Sequence, residues 1–264
     1  MGIDIFRIFT GNETRHNFIP PRDPGALTGS GFIQEHMNIG GLEREQHILN
    51  EFLHGNVPDF WRNFVPVTAS ITGANITYLV SPDYLAIGTD QDYCRMPMNP
   101  LTAQAIANKY DCTLPTRKMV NDIWAQSPNK LQPLPWGPPY NADMEKSYRY
   151  GVHNARIQSQ FGNRNPFALT SGHKKDVVIT NKLAPKNPKR RVAIYGWIQL
   201  NGQPIQELNS TSHEDTYADY SHGIRLIAND VTVNGVPMRI QEVFTDPKLW
   251  PLVSDEGPLS FLKY

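Results

Sequence analysis

Residues 213–222 read HEDTYADYSH, so two histidines, three acids, two tyrosines and a serine fall within ten positions, just before an apolar run. Groups of these types can move protons. Asp219 and His222 could act as a general acid/base pair, with Tyr220 or Ser221 positioning a substrate. Ser221 and His222 are neighbours, and in an extended chain neighbouring side chains point to opposite faces. A nucleophilic Ser221 would therefore need its base from another segment. On the same alternation Asp219, Ser221 and Arg225 share one face, and Tyr220 and His222 share the other with Ile224 and Leu226.

His213, Asp219 and His222 are also ligand types that could hold zinc, although no HExxH spacing accompanies them. The favoured reading uses no cofactor. A plainer alternative has the same acids and histidines capping turns and bonding backbone groups.

A second cluster, TSGHKKDVVIT at 170–180, places His173 and Lys174 at the entrance of an apolar strand. A lysine beside a histidine suits the stabilisation of developing negative charge. Charged residues flanking an apolar strand can equally be a guard against aggregation. If this strand and the one beginning at Gly223 are neighbours, both polar entrances lie on one rim. Asp90, Asp92 and Arg95 follow a short apolar strand and precede a helix, a usual place for a binding loop. Asp90 and Asp92 could serve as acid and base or cap a structural turn, and the pair lacks the rest of a calcium loop. Trp136, with Tyr140, Tyr148 and Tyr150, could form a sugar platform or pack the prolines around it. Asp90, Asp92, Arg95, Arg225 and Trp136 are the expected substrate contacts.

The run Ser221-His222-Gly223-Ile224-Arg225-Leu226 resembles part of the Ser-His-Gly-Cys-x-Arg signature of L,D-transpeptidases, which remodel peptidoglycan through a catalytic cysteine. The likeness spans six residues, and Ile224 stands where that cysteine would be. No catalytic role carries over.

These clusters need elements to hold them. LEREQHILNEFLHG has a helical apolar face ended by Gly55. NPLTAQAIANKYD starts with a capping Asn99 and Pro100. TLPTRKMVNDIWAQ reads as a helix capped by Thr113, and residues 142–161 as a long helix carrying Gly151. VTASITG, ITYLVS and DYLAIG read as strands, as do DVVIT, RRVAIYGWIQL, GIRLIANDV and VPMRI, with Asn201-Gly202 and Asn234-Gly235 as hairpin turns. The fold class is α+β, with helices mainly in the N-terminal part and a largely antiparallel sheet in the C-terminal part. Residues 1–126 form a helix-rich part with a short hairpin. A Pro-rich connection at 127–141 leads to 142–264, a long helix followed by sheet, unless the whole is one compact domain.

Composition narrows the partners. Lys+Arg and Asp+Glu both number 25 in 264 residues, which gives no basic field for nucleic acid and none for an anionic membrane. Charged residues make up only 19 %, and the surface this implies, polar but uncharged and aromatic, suits a secreted protein. No signal peptide is visible at the start. Cys94 and Cys112 could close a disulfide worth about 3 kcal/mol, or be two separate buried thiols. Three sequons, at Asn12, Asn75 and Asn209, decide nothing. The reading is a secreted hydrolase that acts on a carbohydrate or cell-wall type polymer by acid/base chemistry. The alternatives are a metal-dependent hydrolase using His213, Asp219 and His222, and a non-catalytic module that binds carbohydrate or protein.

Overall fold

The computed structural model describes residues 15–137, 142–183 and 190–264, apart from the side chains of residues 142 and 143. Helices α1 (Gly29–Glu35) and α2 (Gly41–Leu53) lead to a 3-10 turn at Phe60–Arg62 and the hairpin β1 (Val65–Ile71) and β2 (Ala74–Val80). Strands β3 (Ala86–Gly88) and β4 (Tyr93–Arg95) form a second, small hairpin. Helix α3 (Pro100–Lys109), β5 (Cys112–Thr113), α4 (Arg117–Gln126) and β6 (Asn129–Lys130) follow. Then come α5 (Ser147–Phe161), β7 (Thr170–Ser171), β8 (Lys175–Val177), β9 (Ile194–Ile198), β10 (Pro204–Asn209) and β11 (His222–Gly223). The chain closes with β12 (Ile227–Val233), β13 (Val236–Arg239), α6 (Ile240–Thr245) and a 3-10 turn at Trp250–Leu252. The fold is α+β with mostly antiparallel sheets.

Two sheets matter for the site. The larger runs β1-β2-β12-β13, with β5 on β12, so β2 of the early chain pairs with β12 of the late chain. The smaller runs β10-β9-β8-β11, and its β8-β11 pair is parallel, setting His222 opposite Lys175 and Gly223 opposite Asp176. The polar entrances at 171–176 and 213–222 thus meet along one edge.

Local chemistry explains most boundaries. Asn99 accepts a hydrogen bond from the Thr102 N–H, and Pro100 occupies the first turn of α3. The cap of α4 is Thr116, whose Oγ accepts from the Met119 N–H. Thr113 is unavailable because it pairs with Ile227 in the large sheet. The long helix begins at Ser147, after a separate 3-10 turn at Ala142–Glu145. VPMRI does not stay extended: the Glu242 side chain accepts the Arg239 N–H, and α6 starts at Ile240.

The Pro-rich run packs against α5. The Gln132 N–H donates to Gln160 Oε1 and Gln160 Nε2 returns a bond to the Gln132 carbonyl, while Leu131 and Leu134 cluster with Ile157 and Phe161. Tyr140 and Asn12, singled out in the sequence, lie outside the described residues.

Cys94 and Cys112 do not form a disulfide; both are buried free thiols. Their strands belong to different sheets, and burial pushes the Cys94 thiol up to about 12.

The β8-β11 contact tolerates no side chain at position 223. A Cβ there would lie 2.6 Å from Lys174 Cβ and 2.6 Å from Tyr84 Cδ1. Gly223→Ala is therefore expected to cost about 1–3 kcal/mol, as overpacking does. Urea unfolding checks this, and an unchanged midpoint would mean that the two strands can part at little cost.

Candidate functional site

Asp219 is pinned by its own loop. Its Oδ1 accepts from the Ser221 N–H at 2.8 Å and from the Ser221 hydroxyl at 2.5 Å, and its Oδ2 accepts from the Tyr217 hydroxyl at 3.1 Å. Burial works against its charge, but His222, Lys175 and the Ser221 bonds outweigh that and hold the carboxyl below its ordinary range. Ser221 is consequently a clamp on Asp219: its hydroxyl proton is given to that carboxylate, and neither nitrogen of the neighbouring His222 bonds it.

His222 is buried, at 1 % exposure, and among the described residues neither ring nitrogen has a hydrogen-bond partner, a property it shares with His173. Of the two, only His222 lies at the edge beside Asp219 and Lys175. Burial lowers its pKa to about 4 despite the nearby Asp219 charge, so the imidazole is neutral at pH 7. Above it lies a rim of partly exposed side chains, Lys175, Tyr217, Asp219 and His213. Tyr217 stacks on His213 at 4.0 Å and meets the His222 ring edge-on at 5.7 Å. Lys175 holds its ammonium 4.9 Å from the centroid of the Trp197 ring.

A second polar layer lies behind this face and is fully enclosed. Asp83 receives the Arg95 guanidinium at 2.6 and 2.8 Å, and His173 Nε2 approaches its other oxygen at 3.3 Å. Burial alone would raise the Asp83 pKa, but Arg95 and His173 hold it well below the carboxylate range. His173 itself is lowered by burial to about 4. Lys174 Nζ donates to the Tyr220 carbonyl at 2.6 Å and lies 3.2 Å from His153 Nδ1, while His153 Nε2 donates to the Leu134 carbonyl. Burial lowers Lys174 to about 7. Asp176, bonded by the Tyr84 hydroxyl at 2.8 Å, is raised by burial to about 7.

Trp197 clamps the strand that carries these groups. Its backbone N–H donates to the Lys174 carbonyl and its indole to the His173 carbonyl, from a non-glycine residue at φ 53°. Such a conformation costs on the order of 1–3 kcal/mol and persists only when surrounding contacts enforce it.

The structure thus gathers Asp219, Ser221, His222 and Tyr220 on one edge with Lys175, and puts His173 and Lys174 beneath it. Arg95 belongs to the buried Asp83 layer. Arg225 is also buried, its guanidinium donating to the Ser81 and Thr170 carbonyls and stacking on Tyr84. Asp90 and Asp92 are elsewhere, accepting from the Phe60 N–H and from Ser30, respectively. Among the described residues no three His, Cys, Asp or Glu side chains converge as metal ligands. His213 stacks on Tyr217, and Asp219 is occupied by Ser221 and Tyr217. Asp83 and Trp197 carry the arrangement without having stood out in the sequence, while Lys175 and Tyr217 lie inside the two clusters but were not chosen as site residues there.

No protein-family model, curated protein or solved structure matches this chain. The short likeness to L,D-transpeptidases gains no support: Ile224, at the cysteine position, is a fully buried core residue. No described helix is long and apolar enough to cross a membrane.

The buried histidines set a pH dependence. In the unfolded chain they titrate near ~6.5, whereas burial holds His153, His173 and His222 lower in the fold. Between about pH 6.5 and 4 the unfolded state binds protons that the folded state refuses, so stability falls as pH drops. Each such histidine contributes a slope of up to about 1.4 kcal/mol per pH unit. Asp176 works in the opposite sense over much of this window, since its folded pKa is raised, but it offsets only one of the three. Urea midpoints at pH 7 and 4.5 should show the loss, and a flat profile would mean that these imidazoles are hydrated in the native state.

Proposed function

We propose that this protein is a hydrolase that cleaves a carbohydrate or cell-wall type polymer by acid/base chemistry at the Asp219–His222 edge, working outside the cell. The observation that carries this reading is the setting of His222, a neutral imidazole whose two nitrogens have no partner among the described residues and which, unlike His173, is held beside a fixed carboxylate and an ammonium at the edge. A buried polar group left without a hydrogen bond costs about 1–3 kcal/mol, a cost tolerated where the group has work to do.

In this reading His222 accepts a proton from water as its oxygen bonds to the reacting carbon, then returns that proton to the leaving atom as the old bond breaks. Asp219 stabilises the imidazolium that forms between these steps, and Ser221 and Tyr217 fix the carboxylate for that purpose. Lys175 faces negative charge developing on the substrate. Tyr220 and Lys174 act from behind: the bond from Lys174 to the Tyr220 carbonyl positions the backbone between Asp219 and His222. The polymer class rests on the half-buried aromatic side chain of Tyr217 at the edge, with Trp136 beside it, and on the weakly charged composition.

The test is a panel of glycans and peptidoglycan incubated with the protein and with Asp219→Asn. New reducing ends or free amino groups should accumulate with the native chain and fall about 100-fold in the variant. Saturable binding with no turnover would instead favour a recognition module.

A further inference from the structure

Beside the proposed edge, Trp136 carries two guanidinium groups. Arg149 lies 4.6 Å and Arg156 5.6 Å from its ring centroid. The two arginines are seven residues apart on α5, two turns along one face. Neither forms an ion pair among the described residues, and Arg149 Nε is buried without a hydrogen-bond partner. Arg156 is exposed and Arg149 partly so.

The ring that orients them is fixed to the site. The Trp136 backbone N–H donates to the Tyr220 hydroxyl at 2.7 Å, and the two rings meet edge-on at 5.4 Å. Tyr220 lies between Asp219 and Ser221 in the chain. Trp136 therefore works less as a sugar platform than as a mount for two cations at a set distance from His222. A guanidinium stacked on an aromatic ring keeps its edge N–H groups free for a carboxylate, which it can take in a bidentate grip. Lys175 is likewise outside any ion pair among the described residues and lies over the Trp197 ring.

We infer that the Trp136–Arg149–Arg156 face binds the carboxylates of an acidic glycan and so presents that polymer to the Asp219–His222 edge. The inference rests on the polymer reading above and narrows its substrate to carboxylate-bearing chains. General basicity does not explain such binding, because the whole chain has equal numbers of acidic and basic residues.

Affinity electrophoresis of the full chain in gels containing carboxymethylcellulose or hydroxyethylcellulose tests it, since the two polymers share a backbone and differ in charge. The native protein should bind the carboxymethyl polymer at least tenfold more tightly. Arg149→Gln/Arg156→Gln should lose that preference, and Arg156→Gln alone, at an exposed position, should weaken it several-fold even if the double variant folds poorly. Lys109→Gln/Lys263→Gln removes two charges at other exposed sites and should bind as the native chain does. His222→Ala should also bind normally. Equal retention by both polymers, no retention by either, or an equal loss in the lysine variant would overturn the inference. A protein that binds the carboxymethyl polymer yet cleaves nothing would sink the hydrolase reading and leave the binding face standing.

Discussion

His222→Ala is expected to lower turnover of a cleaved polymer by about 10²–10⁴-fold, the range a positioned general base supplies, with KM changed little. The effect on stability should be far smaller. Among the described residues the imidazole makes no hydrogen bond that its removal would break, and its burial as an unpartnered group already costs the fold. What is lost is packing, including the edge contact with Tyr217. The variant should also shed part of the acid sensitivity between about pH 6.5 and 4, because one depressed imidazole is gone. Large loss of activity with little loss of stability is the signature of a residue kept for function. Turnover within a factor of two of the native rate would remove His222 from the chemistry.

Asp83→Ala should have the largest effect on stability. The carboxylate, 2 % exposed, is the only anion bonded to Arg95 among the described residues, and it also faces His173. Removing one partner of a buried pair leaves an uncompensated charge and costs about 3–5 kcal/mol. Arg95 would keep its bonds to Asn154 and Gln158, which are neutral and cannot replace the charge. The sign with pH is opposite to that of most raised carboxyls. Because the folded pKa is depressed, the stabilisation is complete above the ordinary carboxylate value of ~3.9 and disappears only as pH falls below it. Asp83→Ala should therefore lower the urea midpoint at pH 7 sharply. A loss under 1 kcal/mol would show that the layer relaxes or hydrates.

How much of this could be read from the sequence varied with the range of the interaction. Asn99 and Pro100 announced α3 because a cap is local, and the Asn234-Gly235 turn announced the hairpin of β12 and β13 for the same reason. The crowding of titratable groups at 213–222 and 171–176 was visible, and so was the chance that the two stretches meet. Asp83 was not visible: it sits in an ordinary Ser-Pro-Asp stretch, and its two partners lie twelve and ninety residues further along. Thr113 had the chemistry of a cap, but its pairing with Ile227 is a contact that no local pattern records. Arg225 shared a strand face with Asp219 on simple alternation, yet the chain turns inward after Gly223 and the guanidinium is buried against Tyr84.

The pairing of β2 with β12 has a consequence for how the molecule is made. Val80 leaves the ribosome long before its partner Ile227, on the order of ten seconds or more at usual synthesis rates of about 5–20 residues per second. Through that interval the hairpin Val65–Val80 has an open edge, and β8 waits about a third as long for His222. Contacts so distant in the chain slow folding, since the loop between them must close before they repay it. The nascent chain should accordingly gain protease resistance in one late step, after residue 233 has emerged, and not in stages.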